Sequence, residues 1–149
     1  MTKVLRVLPY LIIVLALAGV IDASYLTYEH YARIVPPCSI HWWLTDCGRV
    51  LNSSYSIFLG IVPLALLGVF QYTAELLLSI YIFMTNSALT KKLLLLLSTM
   101  GLLFSAHFVY LMIFVIHAIC LYCFASAIIS LFLFILSLIF CTGLKNRFA

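Results

Sequence analysis

Charged side chains are scarce in this sequence. Only 8% of its 149 residues are charged and only four are acidic, whereas a soluble domain carries about 25% charged residues. This scarcity excludes a soluble globular domain and a disordered chain, and it leaves too few basic residues for a nucleic-acid-binding surface. Hydrophobic residues make up 66% of the chain, and its mean hydropathy is +1.27. The composition therefore predicts an integral membrane protein surrounded by lipid.

Four apolar runs are each long enough to cross a bilayer, which requires about 20 residues of helix. No Gly, Pro or charged residue separates the last two runs. A single helix over 93–141 would nevertheless be roughly 73 Å long, so a turn is expected near His117. The prediction is one all-α membrane domain over 1–149, a four-transmembrane-helix bundle with an outward-facing loop at 29–55 and helices at about 4–28, 56–84, 93–116 and 118–141.

The basic residues are unevenly distributed between the two sides of this bundle. Six of the eight lie at the chain ends or in the short connection between the second and third helices: Lys3, Arg6, Lys91, Lys92, Lys145 and Arg147. The 29–55 loop has only Arg33 and Arg49, offset by Glu29 and Asp46. The positive-inside rule therefore predicts a multi-pass protein of the inner or plasma membrane, with both termini in the cytoplasm.

Four of the five cysteines fall on the outward side of this topology. Cys38 and Cys47 lie in the long loop, and Cys120 and Cys123 lie at the outer start of the fourth helix. Disulfides form and persist on the oxidising side of such a membrane. Cys141, at the cytoplasmic end of the fourth helix, is alone and is expected to be inert.

Residues 120–123 form a Cys-x-x-Cys motif. A spacing of three places both sulfurs on one face of a helix, where they can bond. The helix dipole favours the thiolate of Cys120, which is the form that attacks disulfides. Cys123 lies one turn deeper, so one thiol can meet partners in water and the other a partner in lipid. This placement indicates a thiol–disulfide oxidoreductase.

Two other interpretations of the cysteines remain open. The loop pair could form a static disulfide, with the Cys-x-x-Cys pair as buried small side chains, in a disulfide-stapled membrane subunit without enzymatic activity. The Cys-x-x-Cys pair could also bind zinc together with His41 and His117. Neither histidine falls at a usual ligand spacing, and the outer compartment oxidises thiols, so no metal is expected.

Several features match one known family as a set. They are the loop cysteine pair after the first helix, Ser53 six residues after Cys47, Gly60 and Pro63 in the second helix, and the Cys-x-x-Cys that opens the fourth. The stretches SYLTYEHY and DCGRVLNSSYSIFLG carry much of the likeness. On these features the chain resembles the vitamin K epoxide reductase family, in the bacterial and archaeal form without a fused thioredoxin-like domain. The likeness covers essentially the whole chain.

The resemblance implies a bundle built around a quinone, such as ubiquinone or menaquinone, with four catalytic cysteines. Cys123 would face the quinone, Cys120 would exchange with Cys47, and Cys38 would exchange with a separate thioredoxin-like protein of the DsbA type. Electrons would pass from that partner through the loop pair and the Cys-x-x-Cys pair to the quinone. The implied function is quinone-dependent formation of disulfides outside the cytoplasm.

Ser53, Ser56, His107 and Asp22 are the candidate quinone-contact residues. The resemblance places Ser53 near the quinone end of the loop. Asp22 is an intramembrane carboxylate and hence a functional hypothesis by default. It could serve as a proton relay, although snorkelling to the outer interface is the favoured expectation. His107 could hydrogen-bond either a quinone oxygen or another helix, and the second is favoured.

Two departures from the family pattern bear on the reaction. Gly60 and Pro63 are separated by one residue more than in the usual Gly-x-Pro, which affects only the local backbone. Ala127 occupies the position where the vertebrate enzymes have a tyrosine that is taken to bind the quinone oxygen. Reduction of vitamin K quinone or its epoxide is therefore the alternative to plain quinone reduction. A DsbB-type oxidase fits less well, because its Cys-x-x-Cys lies in the first outer loop.

Overall fold

A computed structural model of the chain describes residues 2–34, 46–58, 61–85 and 87–145. It contains five α-helices, which are α1 (Thr2–Ala32), α2 (Cys47–Leu51), α3 (Leu64–Thr85), α4 (Ala88–Leu111) and α5 (Leu121–Lys145). The connections include a 3-10 turn (Ser54–Ser56), the antiparallel strands β1 (Ile57–Phe58) and β2 (Val62–Pro63), and a π-helical turn (Met112–Ile116). Four helices, α1, α3, α4 and α5, are long and apolar enough to cross a membrane. The predicted four-helix integral membrane bundle is confirmed.

The four long helices form a ring in which each packs mainly against two neighbours. Helix α1 lies between α3 and α5, and α4 closes the ring against both of them. Glycines let the helices approach closely, because a Cβ added to Gly19 would lie 2.6 Å from Cδ1 of Tyr72, and one added to Gly101 would lie 2.8 Å from Nε2 of Gln71. Such close packing, together with hydrogen bonds between helices, holds a bundle together in lipid.

Two buried clusters lie at the two ends of the bundle. The end at which α1 stops and α5 starts, here called the cysteine end, buries Leu26, Cys47, Val50, Leu51, Met112, Ile116, Ala118 and Cys120. The other end, here called the opposite end, contains the start of α1 and the connection from α3 to α4. The second cluster includes Leu8, Ile12, Ile82, Leu94 and Phe140 at this end, and it extends along the bundle as far as Ala23 and Tyr72.

The hydropathy pattern predicts that the second membrane helix begins at Ser56. In the structure it begins at Leu64. The hydroxyl of Ser56 donates to the backbone oxygens of Leu51 and Ser53 at 2.7 and 2.8 Å, which holds this segment in a turn. Proline lacks an N–H and is tolerated beside the first turn of a helix but not in its interior. Pro63 therefore precedes α3 instead of lying within the second helix, and Gly60 is outside the described residues.

The other helix ends also differ from the expected bounds. Helix α1 continues to Ala32, past the predicted end at 28. It closes with Arg33 in the left-handed region (φ 54°) and an N–H from Ile34 to the carbonyl of Glu29 at 3.2 Å, which is a common helix-ending arrangement. Helix α4 starts at Ala88 instead of 93, and α5 continues to Lys145 instead of 141.

The connection between the last two membrane helices turns at His117. This residue has a left-handed backbone (φ 52°), and the N–H of Ala118 donates to the carbonyl of Met112 at 3.2 Å. The π-helical turn before it widens the end of the helix, a feature often found at functional sites. The turn that length alone required lies where it was expected, directly before the Cys-x-x-Cys motif.

Candidate active site

The Cys-x-x-Cys motif straddles the start of α5. Cys120 directly precedes the helix and Cys123 is its third residue. The N–H of Cys123 donates to Sγ of Cys120 at 3.4 Å, and the N–H of Phe124 donates to the carbonyl of Cys120 at 2.9 Å. Cys120 thus acts as the N-terminal cap of α5. Its sulfur accepts the backbone hydrogen bond that a side-chain oxygen accepts in most helix caps. Both cysteines carry free thiols.

The environment of Cys120 favours its thiolate. The pKa of the Cys120 thiol is lowered from its ordinary value, chiefly because the Cys123 thiol donates a hydrogen bond to the Cys120 sulfur. The backbone N–H groups of Cys123 and Tyr122 act in the same direction, and burial opposes them. Cys120 is therefore the better nucleophile and the better leaving group of the pair, since both properties require the thiolate form.

The short helix α2 brings a third cysteine to the same place. Asp46 caps this helix, because its Oδ1 accepts the N–H of Arg49 at 2.9 Å. Cys47 follows the cap, is only 1% exposed and is disulfide-bonded. It packs in the same buried cluster as Cys120, which is 0% exposed. The structure thus brings together three of the four predicted catalytic cysteines, Cys47, Cys120 and Cys123, while Cys38 lies outside the described residues.

A cavity of about 800 Å³ opens between the helices beside Cys123. Residues of α1, α3, α4, α5 and the segment from Val50 to Pro63 line it, and most of its surface is apolar. Its polar lining includes Cys123, Ser54, Tyr55, Ser56, Gln71, Tyr72, Ser105, His107, Ser126 and Ser130. A concave, mostly apolar site with a few convergent polar groups is typical of a small-molecule site.

The predicted quinone-contact residues divide into two groups. Ser56 and His107 line the cavity, whereas Ser53 and Asp22 do not. The hydroxyl of Ser53 donates to the carbonyl of Val50 at 2.8 Å and so closes the end of α2. Its neighbour Ser54 lines the cavity in its place.

Asp22 is not at the outer interface, where snorkelling would place it. Its side chain is half-buried and lies beside the hydroxyl of Ser126, close enough for a hydrogen-bonding interaction. Its Oδ2 is buried and has no hydrogen-bond partner among the described residues. Ile21, the neighbour along the chain, is 63% exposed and faces outward from the bundle. The carboxyl therefore belongs to the wall between α1 and α5 rather than to the membrane surface.

A chain of hydroxyl groups crosses the cavity wall next to Asp22. The Tyr72 hydroxyl lies 2.8 Å from Oγ of Ser126 and 2.8 Å from Oγ of Ser130, and it donates to the carbonyl of Ser126 at 2.8 Å. Oγ of Ser105 donates to Oγ of Ser130 at 3.0 Å. Three helices, α3, α4 and α5, are therefore joined by side-chain hydrogen bonds at this level.

Further towards the opposite end, Glu75 is held between helices α3 and α4. Gln71 Nε2 donates to Oε1 of Glu75 at 2.9 Å and to the carbonyl of Leu97 at 2.7 Å. Glu75 is 2% exposed, and its Oε2 has no hydrogen-bond partner within the described part of the chain. Gln71 thus connects the cavity to a buried carboxyl that sequence reasoning did not associate with the site.

Tyr72, Ser126 and Ser130 were not among the predicted site residues. Their signal in the sequence is weak but present, because Ser126 and Ser130 are four residues apart and share the helix face that begins at Cys123. Tyr72 carries no such signal, since one tyrosine in a run of apolar residues does not indicate its neighbours. Among the described residues, no group of three or more His, Cys, Asp or Glu side chains could hold a metal ion.

Comparison with known proteins identifies the family. The chain matches the model described as the vitamin K epoxide reductase family over residues 10–138. No curated protein sequence gives a significant match. The matched range includes both described cysteine sites, all of α3 and α4, and most of α1 and α5. The chain therefore belongs to the vitamin K epoxide reductase family.

Proposed function

We propose that this protein forms disulfides outside the cytoplasm by passing electrons from a thioredoxin-like dithiol protein to a quinone in the bilayer. The vitamin K epoxide reductase family supports an oxidoreductase of the membrane thiol–disulfide and quinone kind. The direction of electron flow, the protein partner and the quinone acceptor belong to the proposal. Reduction of vitamin K quinone or its epoxide by the same cysteines is the alternative reaction.

One observation carries this proposal. Both cysteines of the Cys-x-x-Cys pair pack with the buried cluster that contains Cys47, but Cys123 also lines the cavity and Cys120 does not. A protein partner cannot enter the bundle, and a quinone with an isoprenoid tail stays in lipid. A pair placed between a second redox-active cysteine and an apolar cavity can connect these two media.

The cavity fits a quinone in size and chemistry. Its volume of about 800 Å³ lies within the range of roughly 300–1,000 Å³ that is common for sites binding small organic molecules. Apolar side chains such as Leu67, Phe70 and Phe104 can accommodate a hydrophobic ring and tail. The hydroxyl of Tyr55 and the ring of His107 can hydrogen-bond a carbonyl oxygen from different sides. A bound quinone would supply an acceptor for two electrons and two protons.

The redox state of the structure corresponds to one point in the proposed cycle. Cys47 is disulfide-bonded while Cys120 and Cys123 are thiols. In the cycle, a thiolate of Cys47 attacks Cys120 in the oxidised pair, and Cys123 leaves with the electron pair of the broken bond. Attack by Cys38 on Cys47 then releases Cys120 and forms the loop disulfide. The lowered pKa of Cys120 favours this release, because a thiol of lower pKa leaves faster.

The orientation in the membrane follows from the charges. The cysteine end has Arg33 and Arg49, whereas the other six basic residues lie near the chain ends or at the start of α4. By the positive-inside rule we place the cysteine end outward and both termini in the cytoplasm, in the inner or plasma membrane. This orientation gives Cys38 and Cys47 access to an extracytoplasmic partner.

Turnover by the purified protein in detergent tests this function. With a reduced DsbA-type protein as donor and ubiquinone or menaquinone as acceptor, we expect the oxidised-quinone absorbance to fall, and Cys123→Ser to abolish the reaction without unfolding the protein. Cys141→Ser is the matched control and should retain full turnover. Folded wild-type protein that reduces neither quinone would reject the proposal and favour a disulfide-stapled subunit. Reduction of an epoxide at a comparable rate would support the alternative reaction.

A further inference from the structure

Asp22 lies behind the wall of the cavity, at one end of the chain of hydroxyl groups. Its carboxyl lies beside Ser126, and the oxygens of Ser126, Tyr72 and Ser130 follow one another at 2.8 Å. In both of the links to Tyr72 either oxygen can be the donor. A chain of this kind can pass protons in sequence, because each hydroxyl can release one proton and accept another.

The position of Cys120 creates a need for such a chain. Cys120 is 0% exposed and is not among the residues that line the cavity, whereas Cys123 is. A proton released from Cys120 therefore has no direct way into the cavity. Asp22 is close enough for its charge to act on both sulfurs and on Tyr72. Its buried Oδ2, which has no partner among the described residues, is an available acceptor.

We propose that Asp22 accepts a proton from the Cys120–Cys123 pair and returns it to the cavity through the hydroxyls of Ser126, Tyr72 and Ser130. This inference rests on the proposed function, because it assigns the proton route of the same redox step. Asp22 acts through the hydroxyl chain and is a positioning residue for the proton, not a quinone ligand. The sequence suggested either a quinone contact or a proton relay for Asp22, and the structure adds the hydroxyl groups through which a relay would run.

The redox step balances within the pair and its acceptor. The two thiols together lose two electrons and two protons, and one S–S bond forms between Cys120 and Cys123. Both electrons and both protons pass to the quinone, which becomes a hydroquinone. The Cys123 thiol lines the cavity and can release its proton there directly. The route through Asp22 carries the second proton, so no further oxidant, reductant or external acid is required.

Close packing of the helices fixes this route in place. Gly19 lies one helical turn before Asp22 on α1, and the ring of Tyr72 occupies the space where a Cβ at Gly19 would be, 2.6 Å from Cδ1. Ser126 and Ser130 lie on the face of α5 that Tyr72 contacts. The carboxyl, the phenol and the two serines therefore come from three different helices that pack against one another.

The first test needs no quinone. Infrared difference spectra between the oxidised and the dithiol-reduced protein should contain a band of the Asp22 carboxyl group, because the two sulfurs within reach of its charge change from thiols to a disulfide. We expect this band to disappear in Asp22→Asn and to persist in Glu75→Gln and Glu29→Gln, which alter two other buried carboxyls whose second oxygen has no partner in the described part of the chain. A difference spectrum that is unchanged in Asp22→Asn would overturn the proposal.

The second test measures single-turnover quinone reduction by the pre-reduced protein in H₂O and D₂O. We expect Asp22→Asn and Tyr72→Phe to slow this step by about a hundredfold, the lower range for loss of a proton-transfer group, and to increase the solvent isotope effect. Asp22→Glu should restore much of the rate because it retains a carboxyl.

Thr27→Val is the matched control on α1. Its hydroxyl donates to the carbonyl of Ala23 in its own helix, at 2.7 Å, and not to the hydroxyl chain, so we expect normal rates and a normal isotope effect. If Asp22→Asn fails to fold, Ser126→Ala and Tyr72→Phe test the same route. Wild-type protein that does not reduce quinone would contradict the proposed function, whereas wild-type rates in folded Asp22→Asn would contradict the relay alone.

Discussion

The two ends of the bundle are built from the same four helices but are organised differently. At the cysteine end the backbone is irregular, with left-handed residues at 33 and 117, a π-helical turn and a pair of two-residue strands. The cavity and the chain of hydroxyls also lie in this half. At the opposite end, apolar side chains such as Leu94 and Phe140 fill the interior. Regular helices there are joined by the short connection between α3 and α4.

This difference indicates a division of tasks within one small domain. Irregular backbone and buried polar groups are costly in lipid unless other groups satisfy them. The irregular backbone is concentrated at the cysteine end. Buried polar side chains occur in both halves, with Ser130 near the cavity and Ser98 and Ser137 towards the opposite end. The apolar opposite end packs the helices and separates the redox site from the other membrane surface. Chemistry and stability should therefore respond to substitutions in different halves of the molecule.

The largest effect on stability is expected at the opposite end. Leu94 is 1% exposed, and Leu94→Ala should lower the free energy of unfolding by about 2–3 kcal/mol, because the cavity it leaves is only partly filled by its neighbours. Denaturation of the purified protein in detergent measures this change. Leu96→Ala, on the same helix but 63% exposed, is the matched control and should change stability little.

The comparison of the two ends also predicts the activity of these variants. Folded Leu94→Ala protein should reduce quinone at the wild-type rate, since the side chain belongs to the apolar cluster and not to the cavity. A loss of turnover in protein that is still folded would show that the two ends are not separable. Equal destabilisation by the two alanine substitutions would show that burial at this end contributes nothing.

A smaller effect on stability, together with an effect on chemistry, is expected at Gly19. A methyl group there would lie 2.6–2.7 Å from the ring atoms Cδ1 and Cγ of Tyr72. Gly19→Ala should cost about 1–2 kcal/mol through overpacking, and it should slow quinone reduction because it displaces the phenol. Gly68→Ala provides the control, as its Cβ would meet only the Cβ of Ala23 at 3.4 Å. Greater destabilisation by Gly68→Ala would contradict this account.

The smallest effect concerns the titration of Cys120. Its pKa is lowered chiefly by the thiol of Cys123, so Cys123→Ala should raise the pKa of Cys120 while retaining the backbone N–H. Ultraviolet absorbance of the thiolate, followed against pH, measures the pKa of Cys120 with and without the Cys123→Ala substitution. Both proteins carry Cys141→Ser so that this third thiol does not contribute.

The sign of the linked stability follows from this shift. A folded-state pKa below that of the unfolded chain gives stability that is present above the unfolded pKa and is lost as the pH falls through the folded pKa. A pKa of Cys120 that stays the same or falls in Cys123→Ala would contradict the assigned cause.

The sequence was sufficient for the number of membrane helices and for the place of the Cys-x-x-Cys motif. Each apolar run exceeds the length that a bilayer requires, and the run over 93–141 is too long for one crossing, so physical length alone demanded the turn at His117. The start of the second helix was wrong because Ile57 and Phe58 fit a strand as well as a helix. The predicted helix over 56–84 therefore included Pro63, which in the structure is the last residue of β2.

The candidate site could be predicted only in part. Cysteines carry their chemistry in their identity, and topology places Cys120 and Cys123 at one membrane surface. The partners of Asp22 could not be predicted, because they depend on the rotation of three helices about their axes. That rotation is determined by close contacts such as the one between Gly19 and Tyr72, which hydropathy does not encode. The expectation that Asp22 snorkels rested on its depth alone.

The most direct test of the central claim isolates the Cys-x-x-Cys pair. In a Cys38→Ser, Cys47→Ser variant with Cys120 and Cys123 pre-reduced, one equivalent of quinone is added without oxygen, and disulfides are located by differential alkylation and peptide mass. We predict that oxidised quinone disappears in step with the formation of a Cys120–Cys123 disulfide. Quinone that remains oxidised, or that is reduced while both thiols can still be alkylated, would contradict the proposed electron path.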